Sequence, residues 1–455
     1  MSAHLITLQD YDVGIYAPDA VLARSPGFAS IANDTPVFGA AARELARLHP
    51  RQSFNQFWTQ LSLDPLGIKN KHFRHTADLA HGHLQALTAG LTLDKDTVIA
   101  VPSNYTRNQM SVLLGIARTC DIPVHGLVDL ALLQAMASDS GADNFIILDL
   151  QLHQAVLTSF QRVNGEMQRD RVIQVPATGL LALQDAWTNM IADEFIRQTR
   201  FDPKHNAEIE QYMYNQLDQW LVQGAAAGEL LIDIKHKGSL HQARVTHPLF
   251  AQRARVIFER ISKELEQLTT ADTAVHVLGS QLLLPGLTAA LPGIIALDDA
   301  LLLDSFLGNL QHIRTTPEQV QFVTRLPVGQ RHTSTAATAL PPRLPTHVLV
   351  ENKAISLPQG RLVFGATPAD GNFVRVLPLE LAVTPKPEPQ DETRKAAEPL
   401  QGSIILDRSL KQLRLELRDL DTVLLNGSVA SSGALLALGD CLQIGAITLR
   451  LIQVE

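Results

Sequence analysis

The sequence predicts an α/β fold of several cooperating units with a small all-β module behind them, and three observations carry that prediction. Residues 97–136 alternate buried-strand and helix patterns, which is the signature of a parallel βαβα unit. A chain of 455 residues is too long for one ordinary core. After Ile313 the composition changes: residues 325–345 are rich in Pro, Thr and Ala without apolar period, and beyond them short strand-and-turn patterns follow one another.

Composition narrows the functional classes. Hydrophobic residues at 45% and charged residues at 18% belong to a well-ordered globular chain rather than a disordered one. The formal charge of −8, with no basic stripe, argues against a nucleic-acid partner, because binding by counterion release needs clustered Lys and Arg. Cys120 and Cys441 lie far apart, offer no metal-ligand spacing and read as buried thiols of a reduced compartment. The start of the chain shows no basic region followed by an apolar signal core, and no apolar run approaches the roughly 20 residues that span a bilayer. A cytoplasmic location without a membrane span is therefore expected.

The elements follow in order. Leu5–Leu8 and Val13–Tyr16 flank an acidic turn at Gln9–Asp12, a hairpin signature. Gly39–Leu48 is rich in Ala and Leu and predicts a helix broken at Pro50; Ser53–Leu61 carries Phe54, Phe57, Trp58 and Leu61 at helical spacing, a core face. Histidines 72, 75, 81 and 83 crowd together, but no cysteine and no i, i+4 pair accompanies them. They read as capping or solvated residues, with Thr76 as the N-cap of a following helix. Strands at Thr97–Pro102 and Ile122–Leu127 alternate with helices over Thr106–Cys120 and Asp129–Met136. Two amphipathic helices follow, lined by Leu183, Trp187 and Phe195 and by Ile209, Met213 and Trp220. Glu229–Val245 predicts a hairpin turning at Lys237-Gly238, and Thr246 and Pro248 open the chain's clearest helix. A strand over Ala274–Leu278 leads to a Gly279-Ser280 turn and a helix from near Pro285.

The stretch around which these elements are organised is Asn144–Phe160, two β-prone runs joined at Leu150-Gln151-Leu152-His153. Asp149 ends the first run, and the turn contains no glycine. Phosphate-cradling turns use glycine to let backbone N–H groups approach the ligand. Asp149 reads as a turn carboxylate, His153 as a hydrogen-bonded structural residue, and Asp10 and Asp12 as turn aspartates bonding their own backbone.

With these elements in place, the first 313 or so residues resemble the nucleotide-binding domain of the DnaK-type heat-shock chaperones, within the actin and sugar-kinase superfamily. The resemblance rests on VIAVPSNYTRNQ, on LLGIARTCDIPVHGLVDLALLQAMA, on Asp149 with its hairpin and on VHVLGSQLLLPGL. It implies an α/β, two-lobed actin-like domain (a duplicated ribonuclease H-like fold) over 1–313 and a linker over 314–346. Residues 347–455 are similar to forkhead-associated domains through Asn426-Gly427, Gly439-Asp440 and Leu442–Gly445, which implies a small all-β sandwich with a mobile loop at 384–399.

The family's chemistry does not carry over residue by residue. Its first phosphate loop, Asp-Leu-Gly-Thr-Thr, stands here as Thr7-Leu8-Gln9-Asp10-Tyr11, and its second, Asp-Leu-Gly-Gly-Gly-Thr, as Asp149-Leu150-Gln151-Leu152-His153-Gln154. The family's second adenosine-loop glycine is Ser280, its base-stacking arginine is Leu283, and its catalytic lysine has no basic counterpart near Thr59 and Gln60. The phosphothreonine arginine expected after Gly365 is Ala366, and no Ser-x-x-His segment precedes Ile404. Phosphoryl transfer depends on such positioning and charge stabilisation. The expectation is a pseudo-ATPase serving as a protein-binding scaffold: no catalytic residue, no metal site, no cofactor and an unidentified protein partner. The alternative is a chaperone-like ATPase that binds ATP and magnesium in a rebuilt cleft lined by Asp10, Asp149, His153, Gly279 and Ser280. A third reading is an actin-like assembly protein.

Overall fold

The computed structural model describes residues 3–328, apart from 19, 33–34, 68–72, 94–95, 139–141, 271, 298–299 and 317–318, and beyond them the strands of a C-terminal unit with residues 423 and 440. The fold is mixed α/β. The chain divides into two compact units, Met1–Arg331 and His332–Glu455.

In the first unit β1 (Leu5–Gln9) turns at Asp10-Tyr11 into β2 (Asp12–Ala17), which pairs antiparallel with β1 and with β3 (Ala20–Ser25). A small sheet of β4 (Ala29–Ser30), β5 (Val37–Phe38) and β6 (Ser53–Phe54) follows, with the short α1 (Ala40–Arg43) between the last two. After α2 (Thr76–Thr88), β7 (Thr97–Val101) lies parallel to β1; α3 (Arg107–Thr119) leads to β8 (Val124–Asp129), parallel to β7, and α4 (Leu130–Ala137) closes this half.

The second half repeats that plan. β9 (Asn144–Leu150), β10 (Gln154–Val163) and β11 (Glu166–Pro176) form an antiparallel meander. Then come α5 (Leu180–Thr199), α6 (Ala207–Ala227), a hairpin of β12 (Glu229–His236) and β13 (Ser239–Thr246), and α7 (His247–Glu266). β14 (Thr273–Leu278) adds parallel to β9; α8 (Gly279–Leu282) and α9 (Leu287–Ala290) connect it to β15 (Ile295–Leu297), parallel to β14. α10 (Ala300–Ile313) returns the chain to α4, where the Ser305 hydroxyl donates to the Leu133 carbonyl at 2.8 Å. β16 (Phe322–Val323) then joins the first sheet beside β8, and β17 (Arg325–Pro327) joins the second beside β11. The orders β3-β2-β1-β7-β8 and β11-β10-β9-β14-β15 are thus the same arrangement used twice.

Strand alternation sorts the core. Ile6 and Leu8 of β1 pack with Leu79, Leu84 and Leu113 beneath the first sheet, and Ile146, Leu148 and Leu150 of β9 pack with Trp187, Phe250 and Phe258 beneath the second. The opposite faces meet each other: Leu5 of β1 shares a cluster with Phe145 and Ile147 of β9 and with Phe306 of α10. The same period carries Thr7 and Gln9 of β1, and Asp149 of β9, onto these facing surfaces. Apolar burial between the sheets therefore ends in polar residues at the strands' C-terminal ends.

Several expectations are corrected by these facts. Ser53–Leu61 forms β6 and turns rather than a helix, although Phe57, Trp58 and Leu61 are buried as expected. The helix expected over Gly39–Leu48 is only Ala40–Arg43, continued by turns. His75, not Thr76, is the N-cap of α2, and Asp78 reaches back to accept the His75 N–H at 3.2 Å. The stretch expected as linker contributes β16 and β17 to the two sheets before residue 331. Gly279 and Ser280 open α8 instead of making a free turn. Cys120 and Cys441 are half-buried rather than buried. His72 and residues 384–399 lie outside the described residues.

The C-terminal unit holds two antiparallel sheets. One runs His347–Val350, Lys353–Ser356, Leu424–Leu425, Ser428–Val429, Cys441–Ile444 and Ile447–Ile452; the other runs Gly360–Ala369, Phe373–Leu379, Gly402–Arg408, Leu413–Arg418 and Leu435–Leu436. Leu442, Leu449 and Leu451 of the first and Leu413, Leu415 and Leu436 of the second are buried. Among the described residues of the chain, no helix is long and apolar enough to cross a membrane.

Candidate functional site

The β1–β2 turn, the β9–β10 turn and the β8–α4 junction converge where the two sheets face each other. The β9–β10 turn closes on itself, with the Gln151 N–H donating to the Gln154 carbonyl at 2.9 Å. Its remaining groups point at neighbours. The Gln151 amide nitrogen donates to Asp149 Oδ2 at 3.0 Å and to Asn104 Oδ1 at 3.3 Å, and Gln154 donates to Gln151 Oε1 at 3.0 Å. The Leu152 N–H donates to Asp10 Oδ1 at 2.9 Å, which ties the second sheet's turn to the first sheet's turn. Gln151 and Leu152 are buried, and His153 is half-buried.

The carbonyls of the same turn are consumed by α5. The Leu180 and Leu181 N–H groups donate to the Gln151 and Leu152 carbonyls, both at 2.9 Å. These are amides that a helix N-terminus otherwise offers to an anion. The approach is so close that a side chain on Gly179 would bring its Cβ to 2.4 Å from the Gln151 oxygen and 2.5 Å from the Gln154 nitrogen. Gly179 is thus the glycine this site requires, and it sits opposite the turn rather than in it.

Asp129 caps α4 from the end of β8. Its Oδ1 accepts from the Ala131 N–H at 3.0 Å and the Ser103 hydroxyl at 2.6 Å. Its Oδ2 accepts from Arg169 Nη1 of β11 at 2.7 Å, and the same nitrogen donates to the Ser103 carbonyl at 3.2 Å. Gln281 of α8 braces β9 with a reciprocal pair, donating to the Leu150 carbonyl at 3.1 Å and accepting its N–H at 3.3 Å.

Burial governs the electrostatics. It pushes the Asp10 carboxyl up to about 7 against the Leu152 N–H, and nearby Asp149 raises it further. It pushes Asp149 up to about 6; Gln151 eases that charge, Asp129 opposes it, and Gln9, close but without a properly oriented hydrogen bond, helps slightly. Asp129 is also raised by burial, with Arg169 and Ser103 pulling the other way. Asp10 Oδ2 and Asp149 Oδ1 are buried without a hydrogen-bond partner. Among the described residues, no group of three or more His, Cys, Asp or Glu is arranged to hold a metal ion.

Beside the turn lies a cavity of about 410 Å³ lined in part by Phe28, Arg43, Leu152, His153, Asp185 and Asn215. Its wall is a polar bridge between the halves. Arg47 donates to Asp185 Oδ1 at 2.6 Å and stacks 3.8 Å above the Tyr214 ring, whose hydroxyl donates to the same carboxylate. The Arg47 N–H donates to Gln211 Oε1 at 2.7 Å, and the Gln211 amide returns a bond to the Arg43 carbonyl at 3.2 Å. Burial pushes the Tyr214 hydroxyl up, and Asp185 adds to the effect.

The residues expected to line a cofactor site separate into two groups. Asp10 and Asp149 come together in the interior. His153 faces outward, with Nε2 3.0 Å from Asn55 Oδ1 and Nδ1 3.3 Å from the Gln56 amide nitrogen; burial lowers its proton affinity. Gly279 lies under the Leu297 carbonyl, Ser280 is exposed, and Gln281 is the α8 side chain bonded to the hairpin strand. Asp12 turns away to Arg24 at 3.3 Å. Sequence reasoning did not find Asp129, Gly179 or Arg169. An aspartate at a strand-to-helix junction is an N-cap signature and a glycine just before an apolar helix is a boundary signal, whereas nothing local marks Arg169. Of the histidine cluster, His83 is buried rather than capping or solvated: Trp58 Nε1 donates to His83 Nδ1 at 2.9 Å, and Ser25 Oγ lies 2.8 Å from its Nε2.

No protein-family model matches the chain, and no curated protein matches it.

Proposed function

We propose that this chain is a catalytically inactive member of the chaperone and actin-like ATPase superfamily, a two-lobed duplicated ribonuclease H-like domain serving as a protein-binding scaffold in the cytoplasm. The strand order used twice supports the fold reading. The observation that carries the functional reading is the β9–β10 turn: Gln151 bonds one oxygen of Asp149, and the Gln151 and Leu152 carbonyls occupy the α5 amides. The groups a phosphate would use are already bonded within the protein. The C-terminal sheets fit a degenerate forkhead-associated-like sandwich, in which Gly365 and Ala366 share one strand and no arginine follows the glycine.

Calorimetry and thermal-shift measurements with ATP or ADP plus Mg²⁺ test this reading. The expected result is no heat of binding and no stabilisation; micromolar affinity would overturn it. The cavity of about 410 Å³ beside Leu152 and His153 favours the second reading, a rebuilt nucleotide cleft, because its size falls in the range of small-molecule sites. Under that reading, ADP would protect the Arg47–Asp185 region from hydrogen exchange.

A further inference from the structure

The polar end of the inter-sheet core holds more negative than positive charge. Asp10, Asp129 and Asp149 are 3%, 0% and 9% exposed, and among the described residues the salt bridge made to this group is that of Arg169 with Asp129. The other groups facing it are neutral donors and acceptors: Gln9 from β1, Ser103 and Asn104 from the loop after β7, and Gln151 from the turn. Tyr105 also borders Asp10, and its hydroxyl is spent on the Trp58 carbonyl at 2.8 Å. His153 and its neighbour Asp185 lie on the outer side of the turn. A carboxylate buried without a counter-ion is neutralised by a proton or forces its surroundings to open.

Asp10 is also the clasp itself, since its Oδ1 takes the Leu152 N–H across the gap between the sheets. We propose that Asp10 and Asp149 form a proton-controlled clasp: protonated, they allow the β1–β2 and β9–β10 turns to remain closed on each other, and ionised, they repel and part those turns about the Arg169–Asp129 anchor. The protons leave to solvent, and no other reactant is involved. Burial pushes both carboxyls up, to about 7 for Asp10 and about 6 for Asp149; Asp149 raises Asp10 further, and Asp129 raises Asp149. The inference is independent of whether the protein binds nucleotide or a partner.

Because the folded-state values lie above the ordinary carboxylate value of 3.8, the native state holds extra protons between that value and about 7. Stability from this source is greatest at the acid end of the window and is lost as pH rises through it. The test is hydrogen exchange of the full chain from pH 5.5 to 8.5, corrected for intrinsic rates and followed on peptides covering 149–155. In the wild type, protection of the turn is expected to fall as pH passes 7. In Asp10→Asn/Asp149→Asn, whose carboxamide oxygen at position 10 can still accept the Leu152 N–H, it is expected to stay high. Equal protection of the wild type at all pH values, or an unchanged pH dependence in the double variant, would overturn the proposal. If the double variant does not fold, Asp149→Asn alone is expected to move the wild-type midpoint to lower pH by removing the repulsion on Asp10; an unmoved midpoint would overturn it equally.

Discussion

Arg169 Nη1 lies 2.7 Å from Asp129 Oδ2, and this pair joins β11 of the second sheet to the β8–α4 junction of the first. Asp129 is fully buried, whereas Arg169 keeps 23% of its side chain exposed. Removing the arginine leaves a buried, unpaired carboxylate, whereas removing both partners does not. Arg169→Met is expected to cost about 3 kcal/mol. Arg169→Met/Asp129→Asn should recover part of that loss. Urea unfolding of the two single variants and the double variant checks the coupling; additivity within experimental error would mean that the pair does not act as a unit.

Gly179 should be irreplaceable for a purely steric reason. Its φ is −80°, so backbone conformation allows alanine, but the added Cβ would sit 2.4 Å from the Gln151 carbonyl oxygen. Backbone atoms on both sides leave nothing flexible to yield. Gly179→Ala is expected to destabilise by about 1–3 kcal/mol, as overpacking does. Gly115, within α3 and with open space around its missing Cβ, provides the opposite control: Gly115→Ala should stabilise by about 1 kcal/mol. Thermal unfolding of both variants decides the matter, and a stabilised Gly179→Ala would show that the turn can withdraw from α5.

His83 gives the protein a pH dependence of the opposite sign to that of Asp10. Burial between Trp58 and Ser25 pushes its imidazole down to about 4, below the ordinary 6.5. The unfolded chain therefore binds the proton more readily between these values. Stability from this source is complete above pH 6.5 and is lost as pH falls toward 4. His83→Gln should flatten the acid limb of a plot of stability against pH while leaving the limb above 6.5 parallel to that of the wild type. An unchanged acid limb would assign the acid sensitivity to other groups.

Much of this architecture was legible because it follows from periodicity. The βαβα unit at 97–137, the hairpin turning at Lys237-Gly238 and the helix opened by Thr246 lie where apolar spacing and turn residues put them. The errors occurred where tertiary packing outweighed local pattern. Phe57, Trp58 and Leu61 have helical spacing but are buried from an irregular segment, fixed by the Tyr105 hydroxyl on the Trp58 carbonyl and by His83 on the indole. The strands at 322–323 and 325–327 are too short to show a period and form only because each finds a sheet edge. In the candidate site, the absence of turn glycines was readable from residues 149–154 alone. The Arg169–Asp129 pair spans 40 positions and the Leu152–Asp10 clasp spans 142, so neither leaves a local pattern.

The turn itself offers the strictest test of why the site differs from a phosphate loop. Gln151→Gly/Leu152→Gly/His153→Gly restores the missing glycines. It removes the Gln151–Asp149 bond and the His153–Asn55 bond, each worth about 1 kcal/mol, and it adds backbone entropy to the unfolded chain. It does not release the α5 amides, because the Leu180 and Leu181 N–H groups bond the carbonyls of residues 151 and 152, which glycine retains. Nor does it remove Arg169 from Asp129. The triple variant is therefore expected to unfold at lower urea concentration and still to show no heat with ATP and Mg²⁺. Gain of nucleotide binding on glycine restoration alone would locate the block in the three side chains rather than in the way the turn's backbone docks on α5.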